Sequence, residues 1–144
     1  MPVLIPTNTG QIDALTDLNA GILALAEVAL FQDDVPVTAT SVVGDFTEAT
    51  YSGYAREAIA SATPSISDDG VPELVYPVGE FRPTATTVGN PAIYGGLLLT
   101  AGGVMIAGWR MDDPPPAMQA TTDIIVVTLR IRVDPIFGLT VIVS

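Results

Sequence analysis

The chain has 144 residues, the length of one ordinary domain, and that is enough to bury a core without disulfides. Sixteen acids face five arginines, with no lysine, histidine or cysteine, for a net charge of −11. This composition removes thiolate chemistry and histidine bases or metal ligands, and it leaves no basic footprint for nucleic acid or an anionic membrane.

The first residues, "MPVLIPTNTG", have no basic n-region and no small-residue cleavage site, so they do not read as a secretory leader. Pro2 and Pro6 make residues 1–9 an extended arm, with Val3, Leu4 and Ile5 as its apolar contacts. Asn8 is placed to cap a helix, with Gln11 three residues on. Ile12, Leu15, Leu18, Ile22, Leu23, Ala26, Ala29 and Leu30 then follow at helical spacing. Pro36, after Asp33-Asp34, marks the stop. The pattern predicts one long helix from Gly10 to Phe31, taken as the unit 10–32. Its second half, "GILALAEVALF", is apolar on most faces and needs covering on more than one side. Either the rest of the chain wraps it or neighbouring subunits do. The expectation is subunits, with Leu15, Leu18, Ile22, Leu25 and Val28 at the interface.

"VPVTATSVVGDF" reads as a turn-rich connector with one short helical turn near Ser41 to Phe46. In "TEATYSGYAREAIA" the Thr, Tyr and Ile content favours a strand, and Gly53 marks a bulge or a close backbone approach. Asp69-Gly70 is a turn signal. Short strands follow at close intervals: "ELVYPV", "EFRPTATTV", "AIYGGLLLT", "VMIAGWRM", "TDIIVVTLRIRV" and "FGLTVIV". From Pro83 to Trp109 there is no charge, close to the length of a membrane span. Gly95-Gly96 and Gly102-Gly103 divide it into pieces that suit buried strands better. The clearest strand alternates Ile125, Val127, Leu129, Ile131 and Val133 with Val126, Thr128, Arg130 and Arg132. The polar face of this strand points to carboxylate partners for Arg130 and Arg132, on a neighbouring strand or another subunit. The fold class expected is mainly β: an antiparallel β-sandwich of jelly-roll or Ig-like type over residues 37–144, with one long N-terminal α-helix.

Candidate sites are few. The pairs Asp33-Asp34, Asp68-Asp69 and Asp112-Asp113 lack an EF-hand pattern and read as solvated turn residues rather than calcium ligands. Asp45, Glu48 and Glu57 are close in sequence, as a glycosidase pair would need to be close in space. The competing reading is local: Asp45 or Thr47 caps a turn, and Arg56 pairs with a nearby acid. Tyr51, Tyr54, Tyr94 and Trp109 suit a core or an interface better than a sugar platform. "GGVMIAG" is a strand flanked by glycines, not a phosphate cradle. No catalytic residue, cofactor or metal is assigned.

The stretch "LFQDDVPVTATSVVGDFTEATYSGYARE", followed by "NPAIYGGLLLTAGGVMIAGWRMDDPP" and "DIIVVTLRIRV", resembles small β-rich structural proteins of tailed bacteriophages, over about two thirds of the chain. The long N-terminal helix departs from the shorter members. The resemblance implies a non-enzymatic virion component, most simply a capsid decoration or cement protein. It would be a trimeric homo-oligomer on the capsid surface, partnered by itself and the major capsid protein and attached through its arm and helix. Alternatives are a tail fibre or receptor-binding, carbohydrate-binding module, a self-assembling filament or shell subunit, and, in another class, a carboxylate glycosidase.

Overall fold

The computed structural model describes residues 7–21, 23–59, 61–111, 115–133 and 139–142. Among these residues are one α-helix, α1 (Asn8–Ala20), and eight strands: β1 (Glu27–Phe31), β2 (Glu57–Ala58), β3 (Ser65–Ile66), β4 (Pro72–Phe81), β5 (Gly95–Leu99), β6 (Met105–Arg110), β7 (Ile125–Val133) and β8 (Leu139–Ile142). The strands form two four-stranded antiparallel sheets: sheet A in the order β2-β1-β5-β6, and sheet B in the order β3-β4-β7-β8.

The helix is short rather than long. Thr7, not Asn8, is its N-cap, and its hydroxyl accepts from the Gly10 N–H. It ends at Gly21, whose N–H bonds back to the Asp17 carbonyl. A tight turn carries the chain through Leu23 and Ala26, and Leu25 takes the left-handed conformation at φ 58°. Glu27–Phe31, expected as helix, is a strand inside sheet A. The reason is double burial. Val28 and Leu30 turn to a core shared by both sheets, while Ala29 and Phe31 join a second cluster on the opposite face. A strand covered on both faces shows no alternation, and a short apolar run then reads the same as a buried helix. β5, "GGLLL", is buried at every position for the same reason.

Side chains from both sheets and α1 meet in the larger core: Leu15, Leu30, Leu74, Tyr76, Leu98 and Leu129 are all fully or almost fully buried. The alternation expected along β7 is present. Ile125, Val127, Leu129 and Ile131 are buried, and Val126 and Arg130 are exposed. β4 contains Pro77, which a central strand tolerates only at an irregularity. The ladder with β7 shifts register between Pro77 and Gly79, and Gly79 sits at φ 110°. The hairpin turn expected at Gly102-Gly103 joins β5 to β6, closed by the Gly103 N–H on the Thr100 carbonyl. No helix among the described residues is long and apolar enough to cross a membrane. The charge-free segment supplies β5 and most of β6.

Candidate binding surface: the strap and the Glu48 cluster

On leaving β1 the chain makes a strap over the second face of sheet A. It departs at Gln32, turns through a 3-10 helix at Val43–Asp45, and returns beside β1. The return is pinned at several points. The Gln32 N–H reaches the Thr47 carbonyl, Ala49 N–H reaches Leu30, and Phe31 bridges Glu48. Asp33 accepts from the Thr47 N–H, and Gln32 accepts from both the N–H and the hydroxyl of Thr50. Asp45 accepts from the Val42 N–H, which makes it the turn cap expected from the sequence. Beneath the strap, Val37 and Phe46 pack on Ala29, Phe31, Leu97 and Leu99. The Phe31 and Phe46 ring centroids are 4.7 Å apart. An apolar cavity of about 200 Å³ remains there, lined by Ala29, Val43, Gly44, Phe46, Leu97 and, at its polar end, Glu48.

Glu48 is the hub of the site. Its Oε1 accepts from the Tyr54 hydroxyl at 2.7 Å and from Arg56 Nε at 2.9 Å, and its Oε2 accepts from Arg56 Nη2 at 3.0 Å. Arg56 also reaches Glu27 at 3.6 Å. The Tyr54 oxygen accepts in turn from the Leu30 N–H of β1. Arg56 holds the Glu48 carboxyl below its usual range, against the opposing pull of partial burial. Burial, with the Glu48 charge adding to it, drives the Tyr54 hydroxyl up. The Arg56 guanidinium is likewise raised by its bond to Glu48. Each group is moved away from neutrality, which is the reverse of what proton transfer at neutral pH requires. Chemically the cluster is a lock that ties the strap to β1.

The other sequence candidates are dispersed. Asp34 pairs with Arg110, which also donates to the Val35 carbonyl and lies 5.4 Å from the Tyr94 ring centre. Asp69 closes a turn with Ser67 and pairs with Arg132. Asp112 and Asp113 lie outside the described residues. No group of three or more acids that could hold a metal occurs among the described residues. Tyr51, Tyr54, Tyr94 and Trp109 are not one platform. Tyr51 packs edge-on to Tyr54, Tyr54 stacks on Phe81, Trp109 packs on the shared core, and Tyr94 lies on the opposite face of sheet A. Gly53 makes the close approach expected of it, against the Thr84 side chain.

Of the proposed interface residues, Val3, Leu4, Ile5 and Ile22 lie outside the described residues. Leu15 and Val28 are buried in the chain's own core, and Leu18 packs against it. Leu15 and Val28 present no side chain to a partner, because α1 packs Leu15 into the core and Val28 belongs to a central strand. Leu25 is 79% exposed, on the rim of a cleft that Asn19, Leu23 and Ile59 also line. Arg130 and Arg132 find their carboxylate on the neighbouring strand. Glu73 of β4 sits opposite Arg132 and takes bonds from both, at 3.2 and 3.0 Å. Sequence reading missed Glu73, whose only signal was its position in the β4 register. It also missed Asn19, which accepts from the Tyr76 hydroxyl at 2.6 Å and the Ala62 N–H at 3.2 Å, anchoring α1 to sheet B. Comparison with protein-family models, curated proteins and solved structures finds no match to the chain.

Proposed function

We propose that the chain is a non-enzymatic structural component of a tailed-phage virion, a capsid decoration protein whose two sheets pack as an antiparallel sandwich. The observation that carries this reading is the fate of Gly44–Ile59, the centre of the phage resemblance. Its Glu48, Tyr54 and Arg56 side chains are spent on holding the strap to β1. All five arginines are committed in the same way, each to a carboxylate of the same chain. Such a body offers shape and surface rather than reactive groups. Attachment to the major capsid protein is assigned to the arm, through Val3, Leu4 and Ile5.

The test compares the intact protein with a variant lacking residues 2–6. Mass in solution is measured by light scattering, and binding by co-sedimentation with heads of the phage that encodes the chain. A small closed oligomer that pellets with heads, and an arm deletion that does not pellet, is the expected result. An intact protein that stays in the supernatant with heads overturns the reading. Removing residues 1–32 is not a usable test, since it deletes β1.

A further inference from the structure

The two sheets treat their second faces differently. That of sheet A lies under the strap. That of sheet B carries no covering segment among the described residues. Along β7 it presents Val126, half exposed, then Thr128, Arg130 and Arg132. Along β4 it carries the buried Glu73, the half-buried Val75, and the exposed Pro77 and Glu80. Its charges cancel: Arg130 and Arg132 are paired with Glu73 and Asp69, and Arg82 is paired with Glu80. Three of the five arginines and three of the sixteen acids are used here. The whole net charge of −11 therefore falls on the rest of the chain.

We propose that this neutral face of sheet B is a self-association surface, where two copies meet face to face about a two-fold axis. Two copies of a −11 chain repel wherever they approach through their acidic surface. On this face the repulsion is absent, and an isologous contact puts the same neutral patch on both sides. A cationic partner would be drawn elsewhere on the molecule. The size fits a weak dimer. Two strands of nine and ten residues, flanked by strands of two and four, give a face of roughly 400 Å² per copy. A standard interface buries about 800 Å² per partner. In a pairing with the axis crossing β7 at Thr128, Val126 of each copy meets the aliphatic stem of Arg130 of the other.

The experiment is sedimentation equilibrium on the full chain at low and at 0.5 M salt, for wild type, Val126→Glu and Val88→Glu. Val88 is 87% exposed in a loop and receives the same added charge away from sheet B. Wild type is expected to dimerise, more strongly at high salt as the residual repulsion is screened. Val126→Glu is expected to weaken the dimer at least about tenfold, and Val88→Glu to leave it within about threefold. Thr128→Glu stands in should Val126→Glu fail to fold by circular dichroism. A wild type that stays monomeric at roughly millimolar concentration and high salt overturns the proposal, beyond the reach of any weak interface. Equal weakening by both charges also overturns it. The outcome is separable from the virion reading: loss of head binding on arm deletion with an unchanged dimer leaves this face standing, and the converse removes it alone.

Discussion

Glu48 shows how one carboxylate sets an acid limit. Its carboxyl titrates below the ordinary 4.5 in the folded chain. The fold therefore binds fewer protons than the open chain as pH falls. Stability from Glu48 is full above 4.5 and drains as pH drops through the folded value. Glu48→Gln is expected to cost about 1 kcal/mol at pH 7, since the pair is partly exposed and screened. It should also flatten the acid limb of a melting-temperature profile taken from pH 7 to 3. An unchanged limb would show that the lock carries no stability. Gly96 is a packing requirement of another kind. A methyl group there would collide with the Trp109 ring, which lies against the glycine. Gly96→Ala is expected to destabilise by about 3 kcal/mol, read from the urea midpoint, with tryptophan fluorescence shifted in the native baseline. Leu25 carries the opposite sign. A leucine in the left-handed region costs about 1 kcal/mol and here is exposed, so Leu25→Asn is expected to stabilise by roughly 0.5–1 kcal/mol. A lower midpoint would mean that Leu25 contributes packing its exposure hides.

At the scale of elements, strand positions with one wet face were legible and doubly covered ones were not. β7 was readable because Arg130 and Val126 face outward between buried neighbours. β1 was not, because the strap covers Ala29 and Phe31, and the strap's 16 or so residues fall far from any periodic signal. The 3-10 turn at Val43–Asp45 was legible from its cap. The Glu48–Arg56 pair was legible as a local pairing, whereas Tyr54 donating to Glu48 while accepting from β1 needs the fold. The interface assigned to Leu15 and Val28 failed with the long helix that was to present them. A truncation checks the corrected boundary. Loss of residues 1–32 removes a strand paired on both edges, and is expected to abolish cooperative unfolding, whereas loss of residues 2–6 should leave the urea transition intact. A folded 33–144 fragment would contradict the placement of β1.

Across the whole molecule, three tyrosines stiffen the alkaline side. Burial pushes Tyr51 and Tyr76 up to about 12 and Tyr54 higher. A phenol raised in the fold keeps its proton longer than in the open chain, so stability is full below pH 10 and is lost as pH rises through 12. Absorbance at 295 nm should show these three ionising late and together with unfolding. All tyrosines titrating reversibly near 10 in a folded protein would refute their burial. The same architecture has a consequence for how the chain is made. Ala29 pairs with Leu97, so the ribosome must add roughly 70 residues before β1 gains β5, its longer partner. At about 5–20 residues per second, "EVALF" waits some 3 to 14 seconds without β5 on its inner edge, with only the strap and β2 made in the meantime. Its yield in a cell is then set less by the depth of the native minimum than by elongation speed and by whatever shields that segment in transit.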